Sequence, residues 1–214
     1  MAIAYDNSTG GSGASPFSFS HTVGTGINRL LIVWVYVNYN SDQVLGVTYN
    51  GVSMTRIGYH GAGTAFGYGY CYALANPTSG SNNVIVTSNL GTPYAIAISY
   101  TGAGLPDIQG YIDGSGGYNI SLNLTTVVNN CWLAGIMWSN QGTNSAGSDT
   151  TLRISGGVNG VNVTAYDSNS AKTPAGTYAL NASTQYTGNH SFFGVSIPPY
   201  VAPPVTGNFF LVLN

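Results

Sequence analysis

Apolar and polar residues alternate with a period of two along much of this chain. Phe17, Phe19, His21 and Val23, for example, fall on one face of an extended segment. Similar segments recur at regular intervals and are separated by Gly, Pro, Asn and Ser, whereas no segment has the 3.6-residue period of an amphipathic helix. The strands predicted in this way are 17–23, 29–37, 44–49, 52–57, 67–75, 83–87, 94–100, 118–127, 131–139, 151–156, 161–166, 176–182 and 190–197.

Two connections between these segments carry specific expectations. Asn50-Gly51 separates two strands and predicts a tight hairpin, because both residues tolerate a positive φ. Residues 101–117 contain several glycines, Pro106, Asp107 and Asp113, so we expect one long irregular connection that crosses between sheets or between the two halves of the chain.

The segment 29–37 is apolar on both faces and is predicted to be central in a sheet. A two-layer sandwich buries only one face of such a strand, so something else must shield the second face. Trp34 and Tyr36, on that second face, are therefore candidate assembly residues.

About a dozen strands are too many for one flat sheet. We therefore expect an all-β fold in which two packed antiparallel sheets form a single β-sandwich over residues 1–197. Residues 198–204 are rich in proline and predict an extended spacer. The residues beyond it predict an apolar strand in a C-terminal assembly arm, 198–214, and are Phe209, Phe210, Leu211, Val212 and Leu213. We expect this strand to add to the sheet edge of a neighbouring copy or partner, with the alternative that it folds back onto its own sandwich as the last strand.

Charge is scarce in this sequence, at 5% Asp, Glu, Lys and Arg with a net charge of −2, where roughly 25% is usual. Little electrostatic repulsion keeps copies apart, which favours self-association into a homo-oligomer. The four basic residues are scattered, so we expect no nucleic-acid partner. No apolar run reaches the ~18 residues of a membrane helix, so we expect no membrane partner.

The first six residues lack the basic and apolar regions of a secretory signal. Neutral, Gly-rich β-proteins are nevertheless common outside cells. A virion component released by lysis satisfies both observations, with an extracellular or cell-surface location as the alternative.

Residues capable of acid-base or metal chemistry are few: six Asp, no Glu and three His. Most Asp residues stand beside Gly, Asn or Ser, where Asp commonly caps turns, and the His residues lack metal-ligand spacing. We therefore expect no enzyme activity, no cofactor and no metal, with a calcium loop at Asp107–Ser115 as a minor alternative. Cys71 and Cys131 are either buried free thiols or one disulfide.

A row of aromatic residues, Phe66, Tyr68, Tyr70 and Tyr72, falls on one face of a predicted strand. Such a row stacks sugar rings if it is exposed. The alternative is that it packs against the facing sheet or a neighbouring subunit, as aromatic rows do more often.

Three segments, 28–33, 47–55 and 76–84, resemble a family of jelly-roll-like β-sandwich domains. Its members occur in bacterial surface proteins and in phage or metagenomic virion proteins. The resemblance covers about the first hundred residues and continues loosely to Ile197, and it implies a fold and a setting but no catalytic residue.

Three functions remain in play. The first is a virion surface component, such as a capsid decoration or fibre subunit, that docks on copies of itself or on another virion protein. The second is a carbohydrate-binding adhesion module, and the third is a subunit of an extracellular filament.

Overall fold

The computed structural model describes residues 1–61, 67–116, 118–140 and 142–202, and every helix or strand within them is a β-strand. All strand pairs are antiparallel. In chain order the strands are β1 (Ala4–Ser12), β2 (Phe17–Val23), β3 (Leu30–Val37), β4 (Val44–Tyr49), β5 (Val52–Ser53), β6 (Thr55–Gly61), β7 (Tyr68–Ala75), β8 (Gly80–Ser88), β9 (Pro93–Thr101), β10 (Ile108–Gly114), β11 (Asn119–Thr125), β12 (Trp132–Ser139), β13 (Asn144–Ala146), β14 (Thr151–Val158), β15 (Val161–Asp167), β16 (Thr177–Thr184) and β17 (His190–Ile197).

The described strands form four sheets, where the sequence predicted two. The expectation of an all-β antiparallel fold is confirmed, but the sheet count is not. Two five-stranded sheets, here called the inner sheets, have the orders β1-β9-β3-β7-β6 and β10-β17-β12-β15-β14. Two smaller outer sheets have the orders β2-β8-β4-β5 and β11-β16-β13.

The two halves of the chain, β1–β9 and β10–β17, have the same strand order. In the inner sheets the equivalent strands, first half then second half, are β1 and β10, β9 and β17, β3 and β12, β7 and β15, and β6 and β14. In the outer sheets they are β2 and β11, β8 and β16, and β4 and β13. Only β5 has no counterpart in the described part of the second half. The turns correspond as well, since Asn28 and Asn130, two residues before β3 and β12, both have positive φ.

The sheets stack in four layers, with the inner sheets in the middle. One core lies between the inner and outer sheets of the first half, and a second lies between those of the second half. A third core, here called the shared core, draws buried residues from both inner sheets, including Trp34, Ile96, Ile136 and Phe193. Burial of this apolar surface joins the two halves into one body.

Strand β3 is fully buried on both faces, as its sequence predicted. Leu31 and Val33 face the outer sheet of their own half. Trp34 meets the ring of Phe193 edge-on at 5.8 Å, and Tyr36 lies 5.8 Å from Trp138. The shielding layer is thus the second half of the same chain, and Trp34 and Tyr36, both 0% exposed, do not reach a partner molecule.

Charged, polar and aromatic side chains form contacts between the two halves at both edges of the shared core. At one edge Arg153 donates two hydrogen bonds to the buried carboxylate of Asp167, which also accepts one from the Tyr100 hydroxyl of the first half. The Arg153 guanidinium lies 4.0 Å from the Tyr5 ring centroid. At the other edge the His60 imidazole stacks on Tyr111 at 3.8 Å.

The predicted irregular connection at 101–117 is wrong for its second part, because residues 108–114 are strand β10. This strand pairs with β17 without a break, from Ile108 opposite Ser196 to Gly114 opposite His190. The segment considered as a calcium loop is therefore part of a sheet, and the Asp113 carboxylate contacts His60 Nε2 at 2.8 Å. Strands β1 and β13 also went unpredicted.

The hairpin predicted at Asn50-Gly51 is confirmed. The two residues have φ values of 50° and 76° and join β4 to β5.

Candidate functional site

Residues 198–200 form a short antiparallel clasp with residues 102–104, the segment that follows β9. Gly104 N–H donates to the Pro198 carbonyl at 2.8 Å, and Tyr200 N–H donates to the Gly102 carbonyl at 2.9 Å. Proline lacks an N–H, so the clasp uses the Pro198 carbonyl and the Tyr200 amide. The first part of the predicted spacer is thus bonded to the segment that connects the two halves.

Beside this clasp lies an apolar groove of ≈ 380 Å³, here called the end groove. Its lining includes Leu105, Val128 and Val201, which are 45%, 43% and 79% exposed, together with Arg29 and Asp107. Exposed apolar side chains that cluster in this way mark interaction surfaces more often than isolated ones do.

The arm residues Phe209, Phe210, Leu211, Val212 and Leu213 lie outside the described residues, as does Phe66.

The predicted aromatic row on β7 faces inward. Tyr70 and Tyr72 are buried and belong to the core between the two sheets of the first half, and Tyr68 is half-buried against the same core. These three residues do share one strand face, but its buried position matches the packing alternative rather than an open sugar platform.

A residue that sequence analysis passed over, Tyr59 on the neighbouring strand β6, extends this row to the surface. Tyr59 is 50% exposed, and its ring stacks on Tyr68 at 6.1 Å and on Tyr70 at 5.9 Å. The β6–β7 register places Tyr59 directly opposite Tyr70. Tyr59 joins the row through pairing between β6 and β7. The alternation pattern within one strand does not show which residues of another strand lie opposite it.

Arg56 stands at the centre of these tyrosines. Its guanidinium carbon lies 5.6 Å from the ring centroids of Tyr59 and Tyr70 and 5.7 Å from that of Tyr72. Arg56 donates to the Tyr72 hydroxyl at 3.0 Å, to the Asp42 carboxylate at 2.7 Å and to the Val44 carbonyl at 2.5 Å. This set of bonds fixes a charged donor group beside an aromatic surface.

Arg56 and Tyr72 also border an open cleft of ≈ 460 Å³, here called the Arg56 cleft. The cleft lies between β4 and β5 of the outer sheet and β6 and β7 of the inner sheet. It is lined by Leu45, Gly46, Val47, Thr48, Ser53, Met54, Arg56, Tyr72 and Thr87.

A buried polar network joins β1, β2 and β9 in the first half. Ser99 donates its hydroxyl proton to Asp6 at 2.7 Å, so it accepts from His21 Nε2 at 3.2 Å. His21 Nδ1 then accepts from the Thr9 hydroxyl at 2.8 Å. His21 is 0% exposed, and burial lowers its pKa to about 4 against the smaller opposing effect of the Asp6 charge. The network therefore holds a neutral, structural histidine.

The cysteines are both buried and free, which settles the alternative left open by the sequence. Burial raises the pKa of the Cys71 thiol, so it stays protonated at neutral pH. Among the residues that the structure describes, no three His, Cys, Asp or Glu side chains gather closely enough to hold a metal ion.

Comparison of the chain with protein-family models, with curated proteins and with solved structures gives no match in any of the three.

Proposed function

We propose that the protein is a non-enzymatic structural assembly protein, a virion surface component such as a capsid decoration or fibre subunit, built from two jelly rolls that associate with further copies. The strand order supports the jelly-roll assignment. In the first half the chain alternates between inner and outer sheet from β1 to β4, forms the β4–β5 hairpin, and alternates again from β7 to β9. Jelly rolls of this kind build viral capsid and lectin domains.

The observation that carries the proposal of self-association is the end groove. It is apolar and exposed, and it lies where residues 203–214 begin. The charge of −2 over 214 residues leaves little repulsion between copies that approach this end.

The occupant of the end groove is the apolar segment 209–213 of a second copy. Six residues, 203–208, separate that segment from the last described residue, and when extended they span roughly 20 Å. That reach is enough to carry the segment to a neighbouring molecule. Burial of its large apolar side chains stabilises the contact by ~1.5–3 kcal/mol for each one fully buried, before ordering costs are subtracted.

The test compares the full chain with a chain that lacks residues 206–214 and with the variants Leu105→Asp and Val128→Asp. We expect the full chain to form a defined oligomer, and all three changes to leave a folded monomer, as measured by light scattering after gel filtration. Leu90→Asp is the matched control, because Leu90 is 51% exposed and lies in the β8–β9 turn, at the opposite end of β3.

A full chain that stays monomeric at high concentration contradicts the proposal, as does an oligomer that survives the truncation. If the truncated chain fails to fold, residues 206–214 are instead part of the fold of their own molecule. Electron microscopy of the full-chain assembly then separates a closed ring or trimer, expected of a virion component, from an open filament, expected of an extracellular fibre.

A further inference from the structure

The Arg56 cleft has the size and chemistry of a small-molecule site. Its volume of ≈ 460 Å³ falls within the ~300–1,000 Å³ usual for ligand pockets. Met54, Tyr72 and Leu45 supply an apolar surface, while Thr48, Ser53 and Thr87 supply hydroxyl groups. A ligand that fits must therefore be apolar on one face and rich in hydrogen-bonding groups around its edge.

The charge of the cleft favours an uncharged ligand. Arg56 is the charged residue among its lining residues, and the Asp42 carboxylate pairs with it at 2.7 Å. The two side chains remain 32% and 40% exposed, so together they present donors and acceptors to a ligand at no net charge. Hydroxyl groups, which both donate and accept, match this pair better than a phosphate or carboxylate does.

The surface continues from the cleft to an exposed aromatic ring. Arg56 lines the cleft, and its guanidinium carbon also lies 5.6 Å from the Tyr59 ring centroid. Tyr68 and Tyr70 stack beneath Tyr59 and hold it in place. A rigid ring next to a polar cleft offers a flat apolar face on which the C–H face of a sugar packs.

We propose that the Arg56 cleft and Tyr59 form a binding site for an uncharged oligosaccharide. One sugar ring occupies the cleft against Met54 and Tyr72, with its hydroxyl groups bonded to Arg56, Thr48 and Ser53. The adjoining sugar ring stacks on Tyr59. This activity is separate from self-association, since the end groove is lined by none of these residues.

Two variants test the site on the full chain. Gly46→Phe adds a ring at a residue that lines the cleft, where a Cβ meets nothing within 4 Å and φ is ordinary, and we expect the ring to block the cleft. Tyr59→Ala removes the stacking ring from an exposed position. The matched control is Gly116→Phe, the same substitution at an exposed glycine of the second half where a Cβ also meets nothing within 4 Å.

The probes are printed arrays of neutral, sialylated and sulfated oligosaccharides, followed by titration calorimetry with the best neutral one. We expect the wild type and Gly116→Phe to bind a neutral oligosaccharide, Gly46→Phe to lose that binding, and Tyr59→Ala to weaken it about tenfold or more. Light scattering of the same variants should give the wild-type mass.

Three results overturn the proposal: no binding of any neutral oligosaccharide by the wild type, binding that survives Gly46→Phe, or binding of the anionic oligosaccharides alone. None of these results bears on the end groove. Conversely, a chain that binds the neutral oligosaccharide but stays monomeric contradicts the assembly proposal and supports the binding site in the Arg56 cleft.

Discussion

The two halves of the molecule have the same strand order but fill equivalent positions with different chemistry. On β2 the buried side chains include His21, which bonds to Thr9 and Ser99. On β11, the equivalent strand, the buried side chains are Ile120, Leu122 and Leu124. The comparison teaches that this topology tolerates either a satisfied polar network or an apolar layer, because both leave no buried group without a partner at that position.

The halves also differ where the outer sheet meets the inner one. In the first half a single residue, Met54, separates β5 from β6, and the Arg56 cleft opens beside it. In the second half Gly147 N–H donates to the Asn181 carbonyl, and the Thr150 hydroxyl accepts from Asn181 N–H. The segment 147–150 is thus bonded to β16.

The largest expected effect comes from breaking the core that the halves share. Trp34→Ala should lower the free energy of unfolding by ~3–5 kcal/mol, because it opens a cavity in a fully buried layer. Denaturant unfolding measures that loss. Amide hydrogen exchange should speed up in both β3 and β17, since Trp34 packs on Phe193 of β17 in the second half.

Leu180→Ala is the variant to compare with Trp34→Ala, because Leu180 lies in the core between the inner and outer sheets of the second half and not in the shared core. Faster exchange in the first half alone after Trp34→Ala would mean that the two halves unfold independently.

A smaller effect concerns how the free energy of unfolding depends on pH, through His21 on β2, where the equivalent strand β11 has an apolar layer. The pKa of His21 is about 4 in the fold, against 6.5 for an ordinary histidine. Between these values the unfolded chain binds a proton that the folded chain does not, so stability is complete above pH 6.5 and decreases as the pH falls to about 4. The total loss is ~3 kcal/mol.

His21→Leu, which copies the apolar layer of β11, should flatten that part of the stability profile. Thermal melts of both proteins from pH 4 to 7.5 measure the difference, which also cancels the titration of the Asp residues common to both. Parallel profiles would show that His21 does not carry the effect.

The smallest effect concerns the turns that the halves have in common. Asn28 and Asn130 have φ values of 52° and 66°, where Asn is tolerated better than Ala. Asn28→Ala and Asn130→Ala should each lower the free energy of unfolding by about 1 kcal/mol, and the Gly variants should cost less, as measured by denaturant unfolding. Unequal losses at the two positions would show that the turns are equivalent in conformation but not in energy.

The sequence by itself determined the strands whose side chains carry a clear pattern. Alternation located β2 at its observed bounds, Asn50-Gly51 located a hairpin, and the two apolar faces of β3 required a layer on each side. These features are local, because side chains alternate across a strand and a positive φ depends on the residue itself.

Only the tertiary structure decided how the strands group. Strand β1, Ala4–Ser12, is polar and rich in Gly, and it is a strand because β9 supplies its backbone partners and β14 packs against it. Strand β10 forms in the same way against β17.

The layer over Trp34 and Tyr36 is a second half of the same chain, and the Tyr59–Arg56 surface arises from pairing between β6 and β7. Hydrogen bonds and contacts between distant segments determine these features, and a pattern within one segment contains no information about its partner.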